Sequence, residues 1–320
     1  MRSFGATVWN KLIRNWSRIS QIITLIVTVA VVLILVRLAK QVDWHDVYQA
    51  AHDTPRYTLA MAAAMAALGY LVYAGMDVLS RRHLAQPQKT WQTLAIAATS
   101  YAFNSNVGVI LGGAALRLRL YRKVGLGPAA IVSIVLLTSF NNWLGYAWMG
   151  FALALDQTAQ TLSQWHIGAA IPRIVGVALV FTAVTYLVLT ALLSNKPFSF
   201  KGHDFTVPSL PMAFAQSVMA IGSWNAMSAI VYLLLQQQVP YFQVLGLMMF
   251  SSFAAMIAHI PAGIGVIEAV FIGALGNKLP THSVLAAILM FRALYQWAPL
   301  CLAVPALLGM EIRMKGKGAR

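Results

Sequence analysis

Apolar runs long enough to cross a membrane recur along the whole chain. About 20 apolar residues span a hydrocarbon core, and eight such segments can be drawn, at roughly 19–38, 58–80, 91–116, 128–155, 171–193, 211–236, 241–276 and 283–309. Only 10% of the residues are charged, whereas soluble domains have about 25%. The chain is therefore predicted to be an all-α polytopic membrane protein, with 19–38 as an uncleaved first span.

The distribution of basic residues argues against a nucleic-acid-binding protein. The formal net charge is +15, and a strongly basic balance is also typical of proteins that bind nucleic acid. Here the Lys and Arg residues lie between the apolar segments, as in a membrane protein with basic cytoplasmic loops. We therefore expect membrane lipids, and not nucleic acid, as partners.

The segment 91–116 has basic residues on both sides, which a single crossing does not explain. Arg81, Arg82 and Lys89 precede it, and LRLRLYRK, 116–123, overlaps its end. Both flanks favour the cytoplasm by the positive-inside rule, so the segment is predicted to be a re-entrant hairpin. The residues in its middle that favour a turn are Asn104, Asn106, Gly108, Gly112 and Gly113.

The stretch AHIPAGIGVIEAVF, 258–271, interrupts the segment 241–276 in a similar way. Pro261, Gly263 and Gly265 predict a turn, and irregular backbone at membrane depth is tolerated only where it is buried in protein or lines a cavity. This second hairpin enters from the opposite side. The prediction becomes six full transmembrane helices and two opposed re-entrant hairpins, with the N- and C-termini in the cytoplasm.

The two hairpins predict an inverted repeat. Repeat unit one covers about 58–155, repeat unit two covers about 211–309, and 19–38 and 171–193 are additional spans. We expect 1–320 to form a single integral membrane domain without a soluble catalytic domain. Broken helices at matching places of two inverted halves indicate a transport site near the bilayer midplane.

Charged residues inside apolar segments are expensive and mark candidate sites. Glu268 either satisfies the amides of its own helix start, paired with a basic residue, or couples to protons or to a cationic group. Arg117 is either a charge at the inner surface or part of a phosphate site. Arg292 is expected to pair with Glu268 or to line a wet cavity. Asp77 and Arg81 are expected to form a structural i, i+4 pair.

The remaining candidates are polar or mark turns. Asn141 and Asn142 are either contacts between helices or substrate contacts, and His259 either titrates or is only hydrogen-bonded. The residues 41–53 predict an amphipathic interfacial helix. The full set predicted to line the substrate path is Arg117, Glu268, Arg292, Asn104, Asn106, Asn141, Asn142 and His259, and the predicted hairpin turns are Gly112, Gly113, Pro261, Gly263 and Gly265.

Motifs of catalysis and cofactor binding are missing from the sequence. It contains no G-x-x-x-x-G-K-[ST] phosphate loop, no dinucleotide fingerprint after a strand and no G-x-S-x-G nucleophile motif. No His, Cys and Asp residues have metal-ligand spacing. We therefore predict a protein that is not an enzyme and has no cofactor or metal.

Four stretches resemble a known family of membrane proteins. They are GGAALRLRLYRKVGL (112–126), NNWLGY (141–146), HIPAGIGVIEAVF (259–271) and FRALYQWAP (291–299). They are similar to the YbhN-like inner-membrane proteins in the family of the lysylphosphatidylglycerol synthase transmembrane region. The resemblance implies a lipid-translocating domain with two opposed re-entrant hairpins. The matching positions are Gly112, Gly113, Arg117, Pro261, Gly263, Gly265, Glu268 and Arg292.

The resulting hypothesis is a lipid flippase of the bacterial inner membrane. The headgroup of an anionic phospholipid would enter a cavity between the hairpins, with Arg117 and Arg292 on the phosphate and Glu268 as gate or proton carrier. One alternative is a secondary transporter of a small soluble anion. Another is a non-transporting membrane partner of a lipid-modifying enzyme. A homo-oligomer or a lipid-synthesis enzyme is the expected protein partner.

Overall fold

The structure is a computed structural model that describes residues 44–108, 113–163, 165, 168–193, 197–200, 203–206, 208–258 and 260–315. The predicted first span, 19–38, lies outside the described residues, as do Gly112 and His259. The described helices are α1 Trp44–His52, α2 Arg56–His83, α3 Thr90–Val107, α4 Ala115–Lys123, α5 Pro128–Met149, α6 Phe151–Ala154, α7 Asp156–Ser163, α8 Ala170–Leu193, α9 Leu210–Leu234, α10 Tyr241–Ile257, α11 Val266–Leu275, α12 Thr281–Arg292 and α13 Ala298–Lys315.

Five of these helical stretches are long and apolar enough to cross a membrane. They are α2, α5 with α6 (Pro128–Ala154), α8, α9, and a stretch of α12 and α13 from Thr281 to Met310. They coincide with five of the six spans that the sequence predicts. The two predicted hairpins instead consist of shorter helices, α3 with α4 and α10 with α11, which we call the first and second broken segments.

A short β-hairpin departs from the all-α prediction. Strand β1, Pro197–Phe200, pairs antiparallel with strand β2, His203–Thr206, so that Phe198 lies opposite Phe205. Alternating aromatic residues on both sides of a Gly-containing pair, Lys201 and Gly202, are typical of a hairpin. No element is predicted from the sequence here, between the apolar segments 171–193 and 211–236.

Small residues let the central spans approach closely. Helices α2 and α9 run antiparallel, and a Cβ at Gly69 would lie 3.4 Å from Ala226, whereas one at Gly75 would lie 2.5 Å from Met219. A Cβ at Gly145 of α5 would lie 2.5 Å from the Trp224 ring. Helices associate in a membrane mainly through close van der Waals packing at such small residues, because the hydrophobic effect does not favour helix association in lipid. These three spans form a closely packed centre, and the helices of both broken segments lie against it.

The helix α1 lies across α12 and covers one side of the second broken segment. Its residue Val47 is buried and packs in a cluster with Leu285 and Ala286, whereas Trp44 and Tyr48 are exposed. The structure therefore has an amphipathic helix within 41–53, and its interfacial position stays a prediction. Its apolar side at Val47 packs against the protein.

Candidate functional site

The turn of the second broken segment has a left-handed backbone. After α10 ends, Pro261–Gly263 form one 3-10 turn, and Gly265 precedes α11. The φ angles are 57° at Ala262, 60° at Gly263 and 82° at Gly265. Glycine adopts such angles without a Cβ penalty, which explains two of the three positions. Ala262 holds a conformation that is strained for an L-residue.

Glu268 caps the helix that follows this turn. The backbone N–H of Gly265 donates to Glu268 Oε2 at 2.9 Å, so the carboxylate satisfies one of the unpaired amides at the start of α11. Its negative charge also lies at the positive end of the helix dipole. The helix-start contact of the first alternative for Glu268 is thus present in the structure, and its role toward protons or a cationic group stays a prediction.

Arg292 binds this carboxylate and the turn together. Its Nε donates to Glu268 Oε1 and its Nη2 to Glu268 Oε2 at 3.0 Å. Nη1 donates to the carbonyl of Ala262 at 3.1 Å and Nη2 to that of Gly263 at 2.9 Å. Nη1 also donates to Gln296 Oε1 at 2.9 Å. All five N–H groups of the guanidinium therefore have an acceptor. Two of the four residues that Arg292 contacts, Ala262 and Gly263, belong to the strained turn.

A π-helical turn, Ala293–Trp297, connects α12 to α13 at this level. Such turns occur often at functional sites because they displace backbone carbonyls from the regular ladder. Here the Tyr295 carbonyl accepts from the Tyr70 hydroxyl at 3.1 Å, and the Gln296 carbonyl accepts from Asn106 Nδ2 at 3.0 Å. Asn106 lies at the end of α3, so the tip of the first broken segment contacts the π-helical turn here.

A cavity of about 300 Å³ lies where these elements meet. The residues that line it are Trp44, Asn106, Ala262, Ile264, Gly265, Glu268, Leu285, Leu289, Arg292, Gln296 and Trp297. Glu268, Arg292 and Gln296 are buried and form its polar floor. Trp44, Ile264 and Trp297 are each about half exposed and mark where it opens.

Arg117 belongs to a separate buried cluster. Its Nε donates to Asp77 Oδ2 at 2.9 Å and its Nη2 to Asp77 Oδ1 at 3.3 Å. Tyr121 and Thr138 donate their hydroxyls to the same carboxylate, each at 2.8 Å. Arg117 does not line the cavity described above. The predicted pairing of Asp77 with Arg81 is replaced, because Arg81 instead donates to the carbonyls of Gln86 and Gln88.

Aromatic rings connect the two ion pairs. The Arg117 guanidinium lies 5.7 Å from the Tyr73 ring centroid, and the Tyr73 ring stacks on Tyr101 at 3.7 Å. The Tyr101 hydroxyl is hydrogen-bonded to that of Tyr295 at 3.0 Å. Tyr295 lies in the π-helical turn next to Gln296. Packed rings and Asn106 therefore connect the first broken segment to the π-helical turn that follows Arg292.

The other predicted residues lie outside the cavity or outside the described residues. A Cβ at Gly113 would lie 3.1 Å from Asn104 Oδ1, so this glycine lets the two limbs of the first broken segment approach. Asn141 is fully buried, and neither its Oδ1 nor its Nδ2 has a hydrogen-bond partner among the described residues. Asn142 is partly buried.

Sequence reasoning anticipated the pair of Glu268 and Arg292, but it missed the partner of Arg117 and a further partner of Arg292. Asp77 is one of only eight acidic residues and lies in an apolar span, which is a signal that it needs a buried partner. Gln296 lies one helical turn after Arg292, a spacing at which side chains meet. Trp44 and Trp297 gave no local signal. Among the described residues, no group of three or more His, Cys, Asp or Glu could hold a metal.

Comparisons with known proteins place the chain in a family of membrane proteins. The family model of the lysylphosphatidylglycerol synthase TM region matches residues 21–303. The inner membrane protein YbhN of Escherichia coli (strain K12) is 35% identical over 302 residues, which cover 94% of this chain and 95% of that protein. An uncharacterized protein of Synechocystis sp. is 28% identical over 264 residues, 80% of each chain. Neither relative has an enzymatic name.

Proposed function

Because the chain belongs to the family of the lysylphosphatidylglycerol synthase transmembrane region, we propose that it is a lipid flippase. In this proposal it moves a phospholipid headgroup across the bacterial inner membrane while the acyl chains stay in the bilayer. The family description refers to a lipid synthase, and a relative covering almost the whole chain is named an inner membrane protein. The first supports a lipid as the substrate, and the second supports the inner membrane as the location.

One observation carries the proposal. A cavity between the two broken segments has a buried ion pair, Glu268 with Arg292, in its floor. Ionisable groups inside membrane segments are costly and generally mark a pathway or a binding site. A polar floor below an apolar, open cavity suits a molecule with a polar head and an apolar body.

The same geometry supports the proposed membrane arrangement. We place both broken segments as re-entrant hairpins of an inverted repeat, with the termini in the cytoplasm. The limbs α10 and α11 pack against each other, and the carbonyl of Gly108 accepts from the N–H of Gly113 at 3.3 Å. Limbs that return along themselves support hairpins, and the basic flanks of the first segment support its cytoplasmic side.

The roles of the charged residues differ in this proposal. Glu268 and Arg292 contact the headgroup, and when the cavity is empty their hydrogen bonds fix the turn. Asn106 and Gln296 line the path. Arg117 anchors the first broken segment to α2 through Asp77 rather than contacting the headgroup. The predicted oligomer and enzyme partner remain predictions.

The proposal is tested by lipid translocation in proteoliposomes. Purified protein is reconstituted into vesicles that contain a trace of a phospholipid labelled with a fluorophore on its acyl chain, and a membrane-impermeant reductant reports the outer-leaflet fraction. We expect protein-containing vesicles to expose the inner-leaflet label, whereas protein-free vesicles keep it protected.

Two further arms separate the alternatives. Uptake of radiolabelled inorganic phosphate without lipid movement would favour the soluble-anion transporter. Folded protein that moves neither lipid nor anion would favour a non-transporting partner. Either result would contradict a flippase.

A further inference from the structure

The cavity floor has no net charge. Glu268 and Arg292 are the only ionisable residues among those that line it in the described part of the chain, and they form one pair. The other polar lining side chains, Asn106 and Gln296, are neutral amides. A headgroup with a net charge would therefore enter a buried site that has no net charge to compensate it.

The bonds of Arg292 show what a phosphate would have to displace. Three of its N–H bonds go to the Ala262 and Gly263 carbonyls and to Gln296. The other two go to Glu268, and Nε with one Nη forms the fork that fits two phosphate oxygens. A phosphate that takes this fork leaves Glu268, only 6% exposed, without its cation. An unpaired buried charge is strongly unfavourable.

An ammonium group on the same molecule removes this penalty. It can replace Arg292 as the partner of Glu268 at the moment when the phosphate replaces Glu268 as the partner of Arg292. The exchange turns one ion pair into two and keeps the site neutral. The predicted anionic lipid had Arg117 and Arg292 on its phosphate, and the structure pairs both of these residues with carboxylates.

The opening of the cavity also suits a cation. Trp44 and Trp297 line it and are 53% and 49% exposed. Tryptophan faces attract ammonium groups more strongly than other aromatic rings do. An ammonium would meet these rings before it reaches Glu268.

We propose that the headgroup taken by this cavity is zwitterionic, with a phosphate that binds Arg292 and an ammonium that binds Glu268, as in a phosphoethanolamine headgroup. This inference rests on the proposed function, because it names the class of lipid moved. It assigns Trp297 as a residue that determines specificity.

The test compares three acyl-labelled lipids in one matrix of digalactosyldiacylglycerol, which has neither phosphate nor ammonium and so does not compete for the cavity. They are phosphatidylethanolamine, phosphatidylglycerol, and N-acetyl-phosphatidylethanolamine, which keeps the phosphate but lacks the ammonium. We expect phosphatidylethanolamine to move at least about tenfold faster than the other two, the ratio that a modest difference in binding energy produces. Equal or faster movement of either anionic lipid would overturn the inference and leave the flippase proposal standing. If none of the lipids moves, both proposals fail.

Matched variants locate the recognition. Trp297→Leu should slow phosphatidylethanolamine about threefold and leave phosphatidylglycerol unchanged. Trp143→Leu, which removes a similarly exposed tryptophan outside the cavity, should change neither rate. Equal slowing of both lipids by Trp297→Leu would contradict an ammonium contact. Water-soluble glycerophosphoethanolamine has the same headgroup without acyl chains. If the protein transports it faster than phosphatidylethanolamine, the headgroup does not come from a lipid and the inference is contradicted.

Discussion

A buried ion pair ties each broken segment to a neighbouring helix, but the positions of the acid and the base are reversed. The limb carries the basic residue in the first segment and the acidic residue in the second. In the first, Arg117 on the second limb reaches Asp77 on α2. In the second, Glu268 on the second limb reaches Arg292 on α12. The same structural task, holding a short limb inside an apolar environment, is thus achieved with opposite polarity.

The surroundings of the two pairs differ more than their geometry. Asp77 is fully buried and takes side-chain donors from three residues, so its pair is closed on all sides. The pair of Glu268 and Arg292 instead binds the backbone of a strained turn and lines a cavity. We infer that the first pair maintains the fold, whereas the second can respond to a bound molecule.

The largest effect is expected from Asp77→Asn. It strands Arg117 without a counter-ion, and breaking a buried pair costs about 3–5 kcal/mol. The free energy of unfolding, measured by denaturant titration in detergent micelles, should fall by that amount. The control is Asp156→Asn in the exposed pair with Arg173, for which about 0–1 kcal/mol is expected. Similar losses of unfolding free energy for both variants would contradict the inference that the pair of Asp77 and Arg117 maintains the fold.

Glu268→Gln should separate stability from transport. We expect translocation to fall at least about tenfold. The loss of unfolding free energy should be smaller than for Asp77→Asn, because Arg292 keeps its bonds to Ala262, Gly263 and Gln296. Rates in proteoliposomes and unfolding curves of the same preparations give both quantities. A stability loss as large as that of Asp77→Asn would erase the proposed difference between the two pairs.

Gly265→Ala probes the turn of the second segment. At a φ of 82° an L-residue costs about 1–2 kcal/mol relative to glycine, and the displaced turn should weaken the bonds that Arg292 makes to it. Gly127→Ala is the control, because its φ is −70° and a methyl group added there would point into open space. Thermal stability should drop for the first variant only, and an equal response would show that the left-handed turn is unimportant.

The smallest effect is expected where the first broken segment meets the π-helical turn. Tyr101→Phe removes the hydroxyl bond to Tyr295, worth about 0.5–1.5 kcal/mol, and keeps the ring stacking. Tyr57→Phe on an exposed ring is the reference. In a double-mutant cycle with Asp77→Asn, Tyr101→Phe should show a non-additive change in stability. Strict additivity would mean that the rings do not connect the pairs.

Much of the fold was predictable because it depends on length and composition. Five predicted spans coincide with helices of the structure, since apolar runs of that length have few alternatives. The breaks at Gly108 and at Gly263 and Gly265 were predictable because glycine marks positive φ. The β-hairpin was missed because its short aromatic alternation is a weak signal between two apolar segments.

The site was predictable only in its charged residues. Pairing of Glu268 with Arg292 could be anticipated, since two buried charges in neighbouring segments need each other. The partner of Arg117 could not, because Asp77 is 40 positions away and Arg81 lies one helical turn from it. The tryptophans and tyrosines of the cavity and its surroundings depend on tertiary contacts that no local pattern encodes.

The central claim is that the headgroup passes through the cavity beside the second broken segment. Blocking that cavity without touching the ion pair tests it most directly. Ile264 lines the cavity and is about half exposed, and Cys301 is the only cysteine of the chain. Ile264→Cys in a Cys301→Ala background can therefore be labelled at one position with a bulky thiol reagent, with Val177→Cys on the exposed face of α8 as control. The account predicts that labelling at 264 stops lipid translocation and that labelling at 177 does not. Full translocation by protein completely labelled at 264 would contradict it.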